Sequence, residues 1–231
     1  MSASIPGNWV SDAVYKNWGE LRSMTSFYAI TSRTVVCTLT AAVLYSAPVH
    51  AQTAALGAYN APLNDTSISG ISSGAYMAVQ FATAWSSFIK GVGVIAGGPY
   101  GCSGGSGATA LSTCMMGQPK ADVESLYKLS EDLAAKGRID NPANIANQKI
   151  YLFNGYNDAV VYRPVTNWLD TIYEKRLSES VGNLFYQTSI GAGHGQVTLA
   201  YGGTCAANSG AYINNCRYDQ AASSCSISTA R

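Results

Sequence analysis

From residue 66 to residue 188 the chain alternates short β-branched runs with longer runs whose apolar residues recur every three or four positions. The first kind reads as strand and the second as amphipathic helix. Residues 66–69 are predicted as a short strand and 75–86 as a helix. Residues 91–97, Gly-Val-Gly-Val-Ile-Ala-Gly, form a near-continuous apolar run of the kind found in parallel strands buried on both faces. Residues 121–136 carry Val123, Leu126, Leu129 and Leu133 on one helical face, with Gly137 as the stop signal. Residues 149–153 read as a strand ending in the turn formers Asn154 to Asp158. Residues 165–176 read as a helix with Pro164 near its start, where a missing N–H costs little. A last strand, 183–188, runs into the loop Ile190-Gly191-Ala192-Gly193-His194-Gly195. Strands alternating with helices predict an α/β protein, with a mostly parallel sheet that binds ligands at the carboxyl ends of its strands.

At the end of the first strand stands Gly70-Ile71-Ser72-Ser73-Gly74, the G-x-S-x-G form of a nucleophile elbow. The glycines make room for a tight strand-to-helix turn, and the serine takes a strained conformation that exposes its Oγ. Ser72 is therefore the candidate nucleophile. The Ser73 amide, at the N-terminus of the following helix, is the candidate oxyanion donor. A plain Gly/Ser turn is the bland alternative, and the strand before and helix after the motif argue against it.

A serine nucleophile needs a base, and the base needs an orienting carboxylate. Beyond residue 51 the chain holds one histidine, His194, flanked by glycines. Asp158 follows a strand, as the acid of such a site should. Asp170 and Asp65 compete with it, and Asp122, Asp132, Asp140 and Asp219 are also available. Asp170 falls inside a helical pattern and Asp65 beside the start of the elbow strand, so topology favours Asp158. The order Ser72, Asp158, His194 is that of the α/β-hydrolase triad.

Charge and cysteines narrow the setting. Only 12% of residues are charged, against about 25% on average, and no basic cluster offers a phosphate backbone a seat, which excludes nucleic acid as a partner. Arg33, the apolar run 35–47 and the small residues Val49 and Ala51 read as a signal peptide, 24–51, cleaved before Gln52. The run is too short for a stable membrane span. Met24 is the better start, leaving 1–23 as a spurious or disordered extension. Removal of 1–51 leaves 11 basic and 11 acidic residues. Cys102 with Cys114, and Cys205 with Cys216, are spaced for local disulfides in an oxidising compartment, and Cys225 belongs to neither pair. The absence of any Cys-x-x-Cys spacing speaks against zinc, so no metal or organic cofactor is expected. Tyr156, Tyr162 and Trp168 give the chain potential for an aromatic contact surface, although Trp168, at helical spacing, is more suited to core packing than to a binding platform.

The elbow Gly70 to Ala78, the loop Asn154-Gly155-Tyr156-Asn157-Asp158-Ala159-Val160-Val161, the Gly193-His194-Gly195 loop and the stretch from Tyr212 to Asp219 together resemble the extracellular poly(3-hydroxybutyrate) depolymerases, over about residues 60–221. The resemblance implies a circularly permuted α/β-hydrolase of three α/β/α layers. It further implies a secreted serine esterase acting on a water-insoluble polyester, with Ser72 as nucleophile, Asp158 as acid and His194 as base; an extracellular or periplasmic monomer is expected. In that family the stretch ending at Asp219 leads into a helix and then further strands with a His-Gly-Cys loop. Here residues 221–231 are Ser-rich, without an apolar helical face. The expectation is a partial catalytic domain, 52–220, C-terminally truncated and incomplete, followed by an aberrant tail, 221–231. Two other readings stay open: a different secreted carboxylesterase, and a catalytically inactive fragment.

Overall fold

The computed structural model describes Gly57 and residues 59–228; the expected signal peptide 24–51 and extension 1–23 lie outside the described residues. The first strand, β1 (Thr66–Ile71), leads through the elbow into α1 (Ser73–Ala84), and β2 (Ile89–Ile95) follows. A loop carrying the short helix α2 (Gly107–Leu111) then leads to α3 (Val123–Ala135), β3 (Lys149–Phe153), α4 (Arg163–Leu177) and β4 (Leu184–Gln187). These four strands form one sheet in the order β1-β2-β3-β4, every pair parallel.

Alternation along the strands divides the core into two faces. Val92, Val94, Ile150 and Leu152 pack with Ala75, Val79 and Ala82 of α1 and with Leu169, Tyr173 and Leu177 of α4. Ile95, Tyr151 and Phe153 point the other way, among Val197, Tyr218 and Ile227. Each ring there is stacked, Tyr151 on Phe185 at 5.9 Å and Phe153 on Tyr218 at 6.2 Å. Trp168 is buried in the core and serves no surface, whereas Tyr156 and Tyr162 are exposed. The result is the α/β class with helices on both faces of a parallel sheet.

Two parts of the architecture differ from the sequence expectation. A second, three-stranded parallel sheet, β5 (Gln196–Thr198), β6 (Gly203–Thr204) and β7 (Ile213–Asn215) in the order β5-β7-β6, follows the His194 loop. Its strands are two or three residues long, too short to leave a periodic signal. The segment from residue 220, in which no apolar helical face is legible, forms a helix: α5 (Gln220–Ser228) lies on β2 and β3. It needs no broad apolar face, because it packs through small groups. A Cβ built on Gly93 would stand 2.4 Å from Ser224 Oγ, so helix and strand meet where neither has bulk. Gln220, buried without exposure, anchors the helix by accepting the Val197 N–H through Oε1 at 2.8 Å. Among the described residues no helix is long and apolar enough to cross a membrane.

Candidate active site

At the carboxyl edge of the main sheet, backbone hydrogen bonds step from strand to strand. Ser72 N–H donates to Ile95 C=O at 2.9 Å, Ala96 N–H to Phe153 C=O at 2.8 Å, and Asn154 N–H to Gln187 C=O at 3.4 Å. The elbow, the Asp158 loop and the approach to His194 are thus seated on one edge.

Ser72 has φ 56° and ψ −124°. A non-glycine residue reaches this region only under strain, and the strain holds the side chain out of the turn. Of the two motif glycines, Gly70 carries the steric demand: a Cβ there would lie 2.3 Å from the carbonyl carbon of Gly74. A Cβ on Gly74 would meet nothing within 4 Å, so the expectation that both glycines are needed for space holds for Gly70 alone. Ser73 opens α1, whose first turn receives no cap from the Ser72 side chain.

The loops that carry Asp158 and His194 are laced together. Tyr156 N–H donates to Ile190 C=O and Asn157 N–H to Ala192 C=O, both at 3.1 Å, and Asn157 Nδ2 donates to Gly191 C=O at 2.9 Å. Within this frame Asp158 Oδ2 lies 2.9 Å from His194 Nδ1, with both side chains almost wholly buried. Asp158 Oδ1 accepts the N–H groups of Val160 and Val161, each at 2.9 Å. Gly193 lets the His194 loop nestle against the 205–208 loop, since a Cβ on it would lie 2.2 Å from Ala207 C=O.

The other carboxylates have structural occupations. Asp65 pairs with Lys90 at 2.8 Å, Asp122 caps α3 through the amides of Glu124 and Ser125, and Asp140 accepts from Ser87. Asp219 accepts the Ala222 N–H, and Asp132 is exposed on α3. Asp170 lies on α4, where burial and then the nearby Glu174 push its carboxyl up to about 6. The structure therefore brings Asp158 and His194 into contact. Among the described residues no hydrogen bond joins Ser72 to His194, and Ser72 instead faces a cavity.

That cavity, of about 570 Å³, is lined by Ser72, Ser73, Tyr76 and Met77 at the elbow, by Leu129 and Leu133 of α3, and by Val161 of the Asp158 loop. Its size suits a small-molecule site. Of the apolar face predicted for α3, Leu129 and Leu133 thus form part of the cavity wall, while Val123 packs against the core. Tyr76 OH donates to Cys114 C=O, tying α1 to the cysteine-bearing loop, and burial raises its hydroxyl above the ordinary tyrosine value. Cys102 and Cys114, both cavity residues, have their sulfurs at bonding distance, 2.14 Å, and so do Cys205 and Cys216, 2.01 Å. Among the described residues no three His, Cys, Asp or Glu side chains cluster as ligands for a metal.

Sequence reasoning did not single out Asn154, Arg163 or Asn208, which hold the loops. Asn154 Nδ2 donates to Val161 C=O at 3.0 Å, and Arg163 Nη2 donates to Thr188 C=O at 2.9 Å. Polar residues in turn-rich loops carry no signal that separates such clamps from solvated turns.

No family-wide sequence model matches the chain. It is 40% identical over 157 residues to a poly(3-hydroxybutyrate) depolymerase of Delftia acidovorans, covering 68% of this chain and 31% of that protein. It is 36% identical over 172 residues to a polyhydroxybutyrate depolymerase of Talaromyces funiculosus, covering 72% and 48%. Two solved structures are similar. One, a serine-to-alanine variant of PHB depolymerase complexed with an R3HB trimer, superposes with a TM-score of 0.64 at 30% identity, over 74% of this chain and 53% of that one. The other, PHB depolymerase from Penicillium funiculosum, gives 0.62 at 31% identity, over 73% and 52%. The chain spans 31% and 48% of the length of the two curated relatives it matches. Over that shared span, with its α/β-hydrolase-like parallel sheet, the chain belongs to the poly(3-hydroxybutyrate) depolymerase family.

Proposed function

We propose that this chain carries the acylating machinery of a secreted serine esterase that cleaves poly(3-hydroxybutyrate) or a related polyhydroxyalkanoate. The observation that carries the reading is the buried Asp158–His194 pair on the same sheet edge as the strained Ser72, which opens on an apolar-walled cavity. With Nδ1 engaged by Asp158, the free ring nitrogen is Nε2, the atom a base of this kind uses on a serine. Ser72 Oγ gives its proton to Nε2 as it attacks the ester carbonyl, and the Ser73 amide steadies the developing oxyanion. Collapse expels the alcohol end of the chain, which takes the proton from His194. Water then adds to the acyl-enzyme by the same route in reverse and releases a hydroxyacid oligomer. The two disulfide-distance cysteine pairs support export to an oxidising compartment.

A second reading, an esterase of small soluble esters, is favoured by the bounded volume of the cavity. The full chain, exported and oxidised, is to be treated with a fluorophosphonate serine probe, beside Ser72→Ala and His194→Ala controls. Stoichiometric labelling that Ser72→Ala abolishes and His194→Ala strongly reduces supports the triad. No labelling of a cooperatively folded wild type overturns it and leaves an inactive member of the family. Release of product from polymer film, compared with turnover of a p-nitrophenyl ester, then separates the two substrate classes.

A further inference from the structure

Asn208 makes four hydrogen bonds with one side chain. Its Oδ1 accepts the N–H groups of His194 and Ala159, each at 2.9 Å. Its Nδ2 donates to Asn157 C=O at 2.9 Å and to Ala206 C=O at 3.1 Å. A carboxamide offers two acceptor positions and two donor hydrogens, so the group is saturated. Exchanging its oxygen and nitrogen would set donor against donor and acceptor against acceptor at all four contacts, which fixes its orientation.

Three of those four partners belong to the acid and base loops: Asn157 and Ala159 bracket Asp158, and the third is the backbone of His194 itself. The loop that carries Asn208 is in turn held from behind. Asn214 Nδ2 donates to Cys205 C=O at 3.2 Å and to Ala207 C=O at 2.8 Å, Cys205 is bridged to Cys216, and Gly193 N–H donates to Cys205 C=O at 2.8 Å.

We infer that Asn208 is a positioning residue that fixes the distance and angle at which His194 Nδ1 meets Asp158 Oδ2. The inference rests on the reading of His194 as base. Its mechanism is geometric: with both flanks of Asp158 and the amide of His194 hung on one rigid group, the two loops cannot slide past each other.

The test compares wild type, Asn208→Ala and Asn208→Asp as full, oxidised chains. Three quantities are read: cooperative unfolding by circular dichroism, the rate of fluorophosphonate labelling, and the downfield proton resonance of the His194 Nδ1–H hydrogen bond. Asn208→Ala is expected to unfold cooperatively, to label about 10²-fold more slowly, and to lose or broaden the resonance. Asn208→Asp keeps both acceptor contacts but faces the Asn157 and Ala206 carbonyls with an oxygen, so it should fall between; if Asn208→Ala does not fold, this variant decides. Wild-type labelling with an intact resonance in the folded variant overturns the inference, as does loss of cooperative unfolding in both. If wild type itself fails to label, the nucleophile reading falls, while the resonance still reports whether Asn208 holds the pair.

Discussion

Asp158 divides its carboxylate between two tasks: Oδ2 meets His194 Nδ1 at 2.9 Å, while Oδ1 accepts the amides of Val160 and Val161. One oxygen faces the histidine ring and the other anchors the carboxylate to its own loop. Asp158→Asn keeps the shape and the amide acceptor but presents an N–H to the histidine, forcing the wrong tautomer. Labelling by the serine probe should fall by about 10⁴-fold with little change in thermal unfolding.

The elbow glycines should behave unequally. Gly70→Ala places a methyl group 2.3 Å from the Gly74 backbone and should cost at least about 1–3 kcal/mol along with probe reactivity. Gly74→Ala meets open space in the first turn of α1 and should be neutral, or stabilising by up to about 1 kcal/mol. Melting temperatures of the two variants check the contrast.

Cavity volume should govern which acyl groups are accepted. Ala110, on the cavity wall, replaced by Trp fills part of the cavity while leaving Ser72 itself unchanged. Turnover of long-acyl p-nitrophenyl esters should then drop well below that of the acetate, while labelling by a small fluorophosphonate persists. Equal loss for all acyl lengths would remove the cavity from the account.

Helix α5 is expected to matter for stability. In Gln220→Ala the Val197 N–H loses its acceptor inside the protein. A buried unpaired donor costs about 1–3 kcal/mol, which denaturant unfolding will register as a lowered midpoint at unchanged slope.

Asp170 gives a pH dependence with a definite sign. Burial, then Glu174, raises its folded-state carboxyl to about 6, above the ordinary value of about 3.9. The protonated form is the one the fold prefers. Its stabilising contribution is present in full below about pH 4 and is lost as pH rises to about 6. Asp170→Asn should remove that decline, so that the variant gains on wild type in melting temperature as pH goes from 4 to 7.

The main sheet and three helices could be read from periodicity because each buries one face over at least a full turn or a strand's length. The elbow was legible because Gly70 and Ser72 answer to local sterics, which a short motif records. Gly74 was over-read for the same reason: a motif does not say which glycine is crowded. Strands β5 to β7 and helix α5 escaped because their stability comes from partners distant in sequence. Val197 finds Gln220, and Ser224 finds the bare backbone of Gly93. Asn208 was invisible, since one asparagine in an Ala-Ala-Asn-Ser-Gly loop looks the same whether it makes four hydrogen bonds or none.

The two cysteine bridges brace two different loops of the candidate site. Cys102–Cys114 lies in the cavity lining beside Ser72, and Cys205–Cys216 fixes the loop that grips His194. A chain still held as thiols lacks both braces, the one in the cavity lining with Ser72 and the one in the loop that binds Gly193 beside His194. Both bridges close only under oxidising conditions, so in a reducing compartment these two loops would be held by their hydrogen bonds and packing alone.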